Sequence, residues 1–227
     1  MPLIRRFGRD QNGSVLVEAS IVVPMILLLT LGAVDFLFIF YQWNAATKAV
    51  EIGARIAAVS DPVAPGLQNI STSIVDGVTV KFGDPIPDFQ VTCDGGTQVC
   101  SCTRGTCPGM GNFRWAAMNK IICGRDSTSS TECDYSTECN DTTGYYFSGM
   151  CGIFRRITAA NVRIVYTQTG LGFSGREGGP VPTIIVSLQN LPFQFFFLNG
   201  LLGFQPINIP ALRTTSTGEV LSSAAQN

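Results

Sequence analysis

Histidine is absent from this chain of 227 residues. Without histidine there is no Ser-His or Cys-His couple for nucleophilic catalysis, and zinc sites that combine cysteine with histidine are excluded. The chain also lacks a glycine-rich loop that ends in Lys-Ser or Lys-Thr, the motif that holds nucleotide phosphates. Its acidic residues are scattered through turns and form no convincing catalytic pair. We therefore predict that the protein is not an enzyme and carries no cofactor.

Charge of either sign is scarce, because only 14% of the residues are Asp, Glu, Lys or Arg. The 15 basic and 16 acidic residues give a net charge of -1, which offers no bulk attraction for nucleic acid. The one locally basic region is the N-terminus, with Arg5, Arg6 and Arg9. Arginines before an apolar run are typical of positive-inside anchors. We predict a cytoplasmic N-terminus and no nucleic-acid partner.

An apolar run of 23 residues extends from Ala19 to Tyr41 and contains one acidic residue, Asp35. As a helix it would be roughly 35 Å long, enough to cross a hydrocarbon core of about 30 Å. It is longer than the apolar part of a cleavable secretory signal, typically about 7–15 residues. We therefore predict that it is kept as a single-pass anchor in the lipid bilayer. Two interpretations of Asp35 are open: it snorkels or forms a hydrogen bond near the outer interface, or it contacts the helix of a partner subunit.

Glu18 lies at the start of the apolar run, where a carboxylate is costly unless it gains a partner. If a peptidase cuts after Gly13, the new ammonium group of Ser14 lies four residues from Glu18. The amine of a neighbouring subunit could then pair with this carboxylate. Two unit charges about 4 Å apart gain roughly 4 kcal/mol at an effective dielectric constant near 20. Residues 1–13 are therefore predicted to be a type IV prepilin-like leader.

The region around this leader and the apolar run resembles the TadE-like family, the pseudopilins of tight-adherence (Flp-type) pilus systems. The resemblance covers about 50 of the 227 residues. The residues that carry it are Gly13, Glu18 with Ala19, Pro24, Gly32, Asp35 and Gly53-Ala54-Arg55.

The resemblance implies a minor pilin or pseudopilin that a prepilin peptidase cuts after Gly13. Its implied partners are other pilins and the pilus assembly platform proteins. Glu18 would be the intersubunit charge partner, and Asp35 a second assembly contact. The implied location is the bacterial inner membrane, crossed once, with a periplasmic head, or an extracellular pilus after assembly.

A function of another class is also open. The chain could be an unprocessed, permanently anchored extracytoplasmic binding module whose disulfide-rich block is the recognition surface. The N-terminal mass separates the two hypotheses, because only the pilin hypothesis requires mature chains that begin at Ser14.

The helical pattern continues beyond the apolar run. Ala45, Ala49, Ile52, Ile56 and Val59 recur at three- and four-residue steps and predict one dry helix face. The prolines from Pro62 onward end the pattern. The predicted organisation is a leader at 1–13, a long helix at 14–60, an extracytoplasmic head at 61–220 and a disordered tail at 221–227.

The head has the pattern of an antiparallel sheet. Runs rich in β-branched residues predict strands. The predicted strands are Ile74–Phe82, Val162–Thr167, Thr183–Leu188 and Ile207–Thr214. One helix is predicted at Asn112–Ile122. The predicted fold class is α+β, a long transmembrane helix that continues into a globular head with an antiparallel sheet, as in type IV pilins.

All eight cysteines lie between residues 93 and 151. They are Cys93, Cys100, Cys102, Cys107, Cys123, Cys133, Cys139 and Cys151. Four disulfides, partial pairing with a free thiol, and a metal site are the three interpretations. Because the block has no C-x-x-C spacing and the compartment beyond the membrane is oxidising, we predict four disulfides in a cysteine-rich insertion and no metal. The spacing does not choose the connectivity.

The segment from Pro192 to Pro206 is unusually aromatic, with five phenylalanines and three leucines in fifteen residues. Two interpretations are open. The segment is either a turn and helix that fill the core of the head, or an exposed patch that meets a neighbouring subunit or the membrane.

Overall fold

The computed structural model describes residues 12–72, 74–75, 78–107, 109–124, 149–175, 180–203, 205–208, 210–219 and 221. These residues form two compact units. The first contains the described residues up to Gln42 together with Phe193–Ile207, and the second contains Trp43–Pro192 together with the described residues from Asn208 onward. The predicted boundary at residue 60 therefore differs from the observed grouping, which divides the long helix and places the aromatic segment with its first part.

Helix α1 extends from Asn12 to Ala58 and is 47 residues long. It begins two residues before the predicted start at Ser14 and includes Pro24. Hydroxyl groups within the apolar part are satisfied locally, since Ser20 Oγ donates to the Val17 carbonyl at 2.7 Å. The single predicted helix is confirmed.

The buried face of α1 in the second unit differs from the predicted one. Of the predicted positions Ala49 is buried, whereas Val59 is exposed and Ile52 and Ile56 are only half-buried. The buried positions are Ala46, Ala49, Val50, Gly53, Ala54, Ala57 and Ala58. Most of them are alanine or glycine because the neighbouring chain approaches closely. A Cβ atom at Gly53 would lie 2.5 Å from Met150 Sδ.

The described strands form two short pairs and one sheet of five strands. They are β1 (Ile74–Val75), β2 (Val78–Thr79), β3 (Phe89–Asp94), β4 (Val99–Gly105), β5 (Val162–Thr167), β6 (Thr183–Leu188), β7 (Pro192–Phe193), β8 (Ile207–Asn208) and β9 (Leu212–Thr217). The large sheet has the order β4-β3-β5-β6-β9, and all its neighbouring strands are antiparallel. The predicted α+β fold is confirmed.

The central pair β5 and β6 has the predicted bounds. Ile164 lies opposite Val186, and Tyr166 lies opposite Ile184. All four side chains are fully buried. Alternating β-branched and aromatic residues therefore form the core face of this sheet, as the pattern predicted.

Two predicted strands are wrong in their bounds. The strand predicted at 74–82 is instead the antiparallel pair β1 and β2. The sequence between them is Asp76-Gly77, a dipeptide that favours two-residue hairpin turns; these two residues lie outside the described ones. The strand predicted at 207–214 is split into β8 and β9, with Pro210 between them, and proline cannot donate to a ladder.

The other described helices are short. They are α2 (Trp115–Cys123), α3 (Met150–Ile153) and α4 (Phe197–Leu202), with 3-10 turns at Pro65–Thr72 and Ala159–Asn161. Helix α2 confirms the helix predicted at 112–122 but begins three residues later. It ends at Gly124, whose φ of 80° is left-handed and whose amide donates to the Lys120 carbonyl at 2.8 Å.

The start of the predicted tail is packed. Leu221 is buried, and Gln68 Nε2 donates to its carbonyl at 2.8 Å. The prediction of a disordered tail is therefore wrong at Leu221, and residues 222–227 lie outside the described residues.

The Tyr166 hydroxyl accepts a hydrogen bond from the Val63 amide at 3.0 Å in the core of the second unit. Burial raises the pKa of Tyr166, so the hydroxyl is neutral at ordinary pH. Tyr166→Phe leaves a buried amide without this acceptor, which should cost about 1–3 kcal/mol of unfolding free energy. Denaturant unfolding of the full chain in detergent, followed by tryptophan fluorescence, measures the loss. Tyr41→Phe, which alters an exposed ring, is the control; equal stability of both variants would contradict the prediction.

Candidate functional site

The first unit presents a long apolar surface along α1. Val15, Leu16, Ile21 and most of the large apolar side chains up to Tyr41 are exposed. By length and composition this helix is able to cross a membrane. Exposure of this apolar surface to water would be unfavourable. The structure therefore indicates a chain that is anchored in a membrane by a single pass of α1.

Gly13 and Glu18 both lie in the first turns of α1 and are exposed. Nothing lies within 4 Å of the position that a Cβ atom would take at Gly13. Within the described part of the chain, no side chain forms an ion pair with the Glu18 carboxylate. The side chain of Ser14 lies outside the described residues. Cleavage after Gly13 and the charge pairing of Glu18 stay predictions.

Asp35 is the buried charge of the first unit, with 0% of its surface exposed. Its carboxylate accepts backbone hydrogen bonds from the start of α4. Oδ1 accepts from the Phe196 and Phe197 amides at 3.0 Å, and Oδ2 accepts from the Phe197 amide at 3.0 Å and from the Leu198 amide at 2.7 Å. The first amides of a helix have no partner within the helix. Asp35 therefore supplies the acceptor that these three groups would otherwise lack.

A stripe on α1 is covered around this contact. Leu31, Gly32 and Ile39 are half-buried, and Gln42 is buried. These residues and Asp35 recur at one-, three- and four-residue steps, so they share one helix face. Gln42 Nε2 also donates to the Gln194 carbonyl at 3.5 Å. The segment 193–207 thus packs along one face of α1 within the first unit.

The hydrogen bonds of Asp35 agree with one of the two interpretations left open, but sequence reasoning missed the donors. They are backbone amides more than 160 residues away in the chain. The contact with a partner subunit's helix stays a prediction. The only sequence signal was an uncompensated acid in an apolar run, and that signal does not name the donors.

The aromatic segment does not fill the core of the head. Residues 193–207 belong to the unit of α1 up to Gln42, and Phe196 is 73% exposed. Of the two interpretations left open, the turn and helix agree with α4, but the grouping of these residues with α1 up to Gln42 does not support a plug of the head core. A run of phenylalanines indicates burial somewhere but does not say against which surface.

The cysteines are oxidised where the structure describes them. Cys93 bonds to Cys100, and Cys102 bonds to Cys107. Cys123 and Cys151 are also in disulfides, although their own sulfur atoms are 3.9 Å apart, too far for a bond to each other. Cys133 and Cys139 lie outside the described residues. The prediction of disulfides is confirmed for the described cysteines.

The cysteine block is not a separate insertion throughout. Cys93 and Cys100 face each other across β3 and β4, which are two strands of the main sheet. Among the described residues no three His, Cys, Asp or Glu side chains are close enough to hold a metal ion.

Asp94 closes the turn between β3 and β4. Its Oδ1 accepts from the Gly96 and Thr97 amides, and its Oδ2 accepts from the Arg163 guanidinium at 3.0 Å. Burial raises the pKa of Asp94, but these hydrogen bonds outweigh the burial and leave the pKa below its usual value. The carboxylate is therefore ionised at neutral pH, and it links the turn after β3 to Arg163 of β5.

Comparison with known proteins bears on α1. Residues 13–55 match the family described as TadE-like protein. No curated protein and no solved structure matches the chain significantly. The matched range contains Gly13, Glu18 and Asp35 and lies within α1. The resemblance predicted from the sequence is confirmed there: over residues 13–55 this chain is similar to the TadE-like family.

Proposed function

We propose that the protein is a minor pilin or pseudopilin of a tight-adherence (Flp-type) pilus machine. The TadE-like match supports an association with such pili. In this proposal the protein acts by assembly, not by catalysis. Its partners are a prepilin peptidase, other pilins and the proteins of the assembly platform.

One observation carries the proposal. Glu18 is an exposed carboxylate on an apolar helix, five residues after Gly13, the glycine that precedes the proposed new N-terminus. A charge in that position is costly in lipid unless a partner compensates it. The ammonium group of Ser14 from a neighbouring processed subunit is a partner of the right sign. Glu18 would therefore select subunits whose leaders have been removed.

The proposed location is the bacterial inner membrane. Arg5, Arg6 and Arg9 support a cytoplasmic N-terminus by the positive-inside rule. The second unit, with its disulfides, would then lie in the periplasm, an oxidising compartment. After processing the chain would either enter the filament or prime assembly from the membrane.

Gly13→Ala tests the processing step. The residue before the scissile bond has to fit a narrow peptidase pocket, so a methyl group there should slow or block maturation. In cells with a working prepilin peptidase we expect wild-type chains that begin at Ser14 and Gly13→Ala chains that keep Met1. Intact-protein mass spectrometry distinguishes the two.

The structure provides a matched control. Gly13 and Gly32 are both helical glycines of α1 with nothing within 4 Å of a would-be Cβ atom. Alanine therefore fits at either position, and Gly32→Ala should mature normally. Wild-type chains that retain Met1 in such cells would overturn the proposal and support the unprocessed binding module. Normal maturation of Gly13→Ala would show that the cleavage site is assigned wrongly.

A further inference from the structure

The residues from Phe193 to Ile207, here called the aromatic lobe, contain no charged side chain. They form one compact unit with the described part of the chain up to Gln42. The lobe contains α4; Pro192 directly precedes the lobe, and Pro206 is its next-to-last residue. Either water or lipid surrounds this lobe.

The depth of Asp35 in the membrane indicates that the lobe is surrounded by lipid. Asp35 lies six residues before Tyr41, the end of the apolar run, which is about 9 Å along a helix axis. The run of roughly 35 Å exceeds a hydrocarbon core of about 30 Å by a few ångströms at most at each end. Asp35 is therefore inside the hydrocarbon when α1 spans the bilayer. The amides of residues 196–198 lie within 3.0 Å of its carboxylate oxygens and must be at a similar depth.

The backbone amides at the two ends of α4 are suited to that depth. Non-helical backbone is tolerated in a membrane only where its polar groups are satisfied within the protein. Asp35 accepts from three amides at the start of α4. At the other end, the Gly203 amide donates to the Asn199 carbonyl at 3.0 Å. The acid that is costly in lipid and the amides that are costly in lipid thus compensate each other.

The side chains around this contact are apolar and aromatic. Phe196 is 73% exposed, and Phe36, Phe40 and Tyr41 of α1 are also largely exposed. Phenylalanine favours hydrocarbon, and tyrosine is enriched at the level of the lipid headgroups. A lipid phase that surrounds α1 would cover Phe196 without any further partner, since the lobe and this part of α1 form one unit.

We propose that the aromatic lobe is a second membrane-inserted element, a re-entrant segment that is held by Asp35 in the leaflet containing residues 35–41. The protein would then be anchored in the bilayer by two elements, the spanning helix and a short segment from the C-terminal part of the chain. This inference depends on the span of α1 and not on pilus assembly.

Photo-crosslinking in the full chain tests this proposal. A benzophenone amino acid replaces Phe196, and the protein is reconstituted in phosphatidylcholine and phosphatidylglycerol vesicles. The matched control carries the same group at Phe82, a phenylalanine of the second unit that is 82% exposed. Mass spectrometry after irradiation should find several-fold more lipid adducts at position 196 than at position 82. Equal lipid adducts, or crosslinks from 196 to a second copy in place of lipid, would overturn the proposal.

A second measurement avoids dependence on the bulky probe. Tryptophan is placed at 196 or at 82 in a chain in which Trp43 and Trp115 are phenylalanine. Lipids with brominated acyl chains should quench the fluorescence of Trp at 196 strongly and that at 82 little. Equal quenching at the two positions, or no quenching at 196, would contradict membrane insertion of the lobe.

Discussion

Asp35→Leu is expected to release the aromatic lobe from α1 while leaving α1 in the membrane. Leucine is apolar and lowers the cost of insertion, but it removes the acceptor of the Phe196, Phe197 and Leu198 amides. A hydrogen bond to a charged group contributes about 1.5–3 kcal/mol. Exchange of these amides with solvent deuterium should therefore become about tenfold to 150-fold faster, since 1.4 kcal/mol corresponds to a factor of ten.

Deuterium uptake by a peptide that covers residues 196–203, with the full chain in bilayer nanodiscs, measures this effect. Thr30→Leu is the matched control, because it also replaces a polar side chain of α1 but one whose hydroxyl donates within the same helix, to the Leu27 carbonyl. Asp35→Asn should give an intermediate rate, since it keeps one acceptor oxygen. Uptake that is the same in Asp35→Leu and wild type would show that Asp35 does not hold the lobe.

Glu18→Gln is expected to leave membrane insertion intact or slightly improved and to impair assembly severely. The change removes a costly charge from lipid and, with it, the proposed partner of the Ser14 amine. The Coulomb energy at stake is roughly 4 kcal/mol for charges about 4 Å apart at an effective dielectric constant near 20, so the contact between subunits should weaken by up to roughly a thousandfold.

Crosslinking to other pilins and the yield of sheared pili measure assembly, and membrane fractionation measures insertion. Glu51→Gln is the matched control. Glu51 is also on α1, but Lys48 Nζ lies 2.8 Å from its carboxylate, and this hydrogen bond and charge hold the pKa of Glu51 below its usual value. An exposed pair of this kind contributes little, so assembly should be retained. Wild-type crosslinking and pilus yield in Glu18→Gln would contradict the charge-pair role.

The sequence predicted those elements whose pattern is local. Helix α1 followed from an apolar run with few breaks, and β5 and β6 followed from strict alternation of β-branched residues. Both of these strands have two-residue periodicity on one buried face, so their bounds and buried face were predicted correctly. The sequence also identified Gly13, Glu18 and Asp35 as candidate site residues. A glycine or an acidic residue beside or within an apolar run is unusual.

Strands β3 and β4 were missed, and for β3 the reason is chemical. Phe89, Val91 and Cys93 alternate with polar residues and are fully buried, which is a strand pattern once cysteine is counted as apolar. Treating the cysteines only as cross-links hid that pattern.

The buried face of α1 in the second unit was predicted wrongly for a related reason. Alanine and glycine mark positions where another part of the chain approaches closely, whereas the prediction took the larger isoleucines as the buried residues.

The partners of Asp35 could not be predicted, because backbone amides carry no sequence signature. Any segment that starts a short helix offers the same donors. Only the three-dimensional arrangement selects residues 196–198 from all the other helix starts in the chain.

The separation of Asp35 from its donors also sets an order of events in time. The first of them, Phe196, follows it by 161 residues. At a synthesis rate of about 5–20 residues per second, roughly 8–32 s pass between the two. If α1 enters the membrane as it is made, Asp35 enters without its final ligands. During that interval the carboxylate has to stay hydrated or be held by another chain, so any factor that recognises the newly made anchor competes with the protein's own C-terminal part for the same carboxylate.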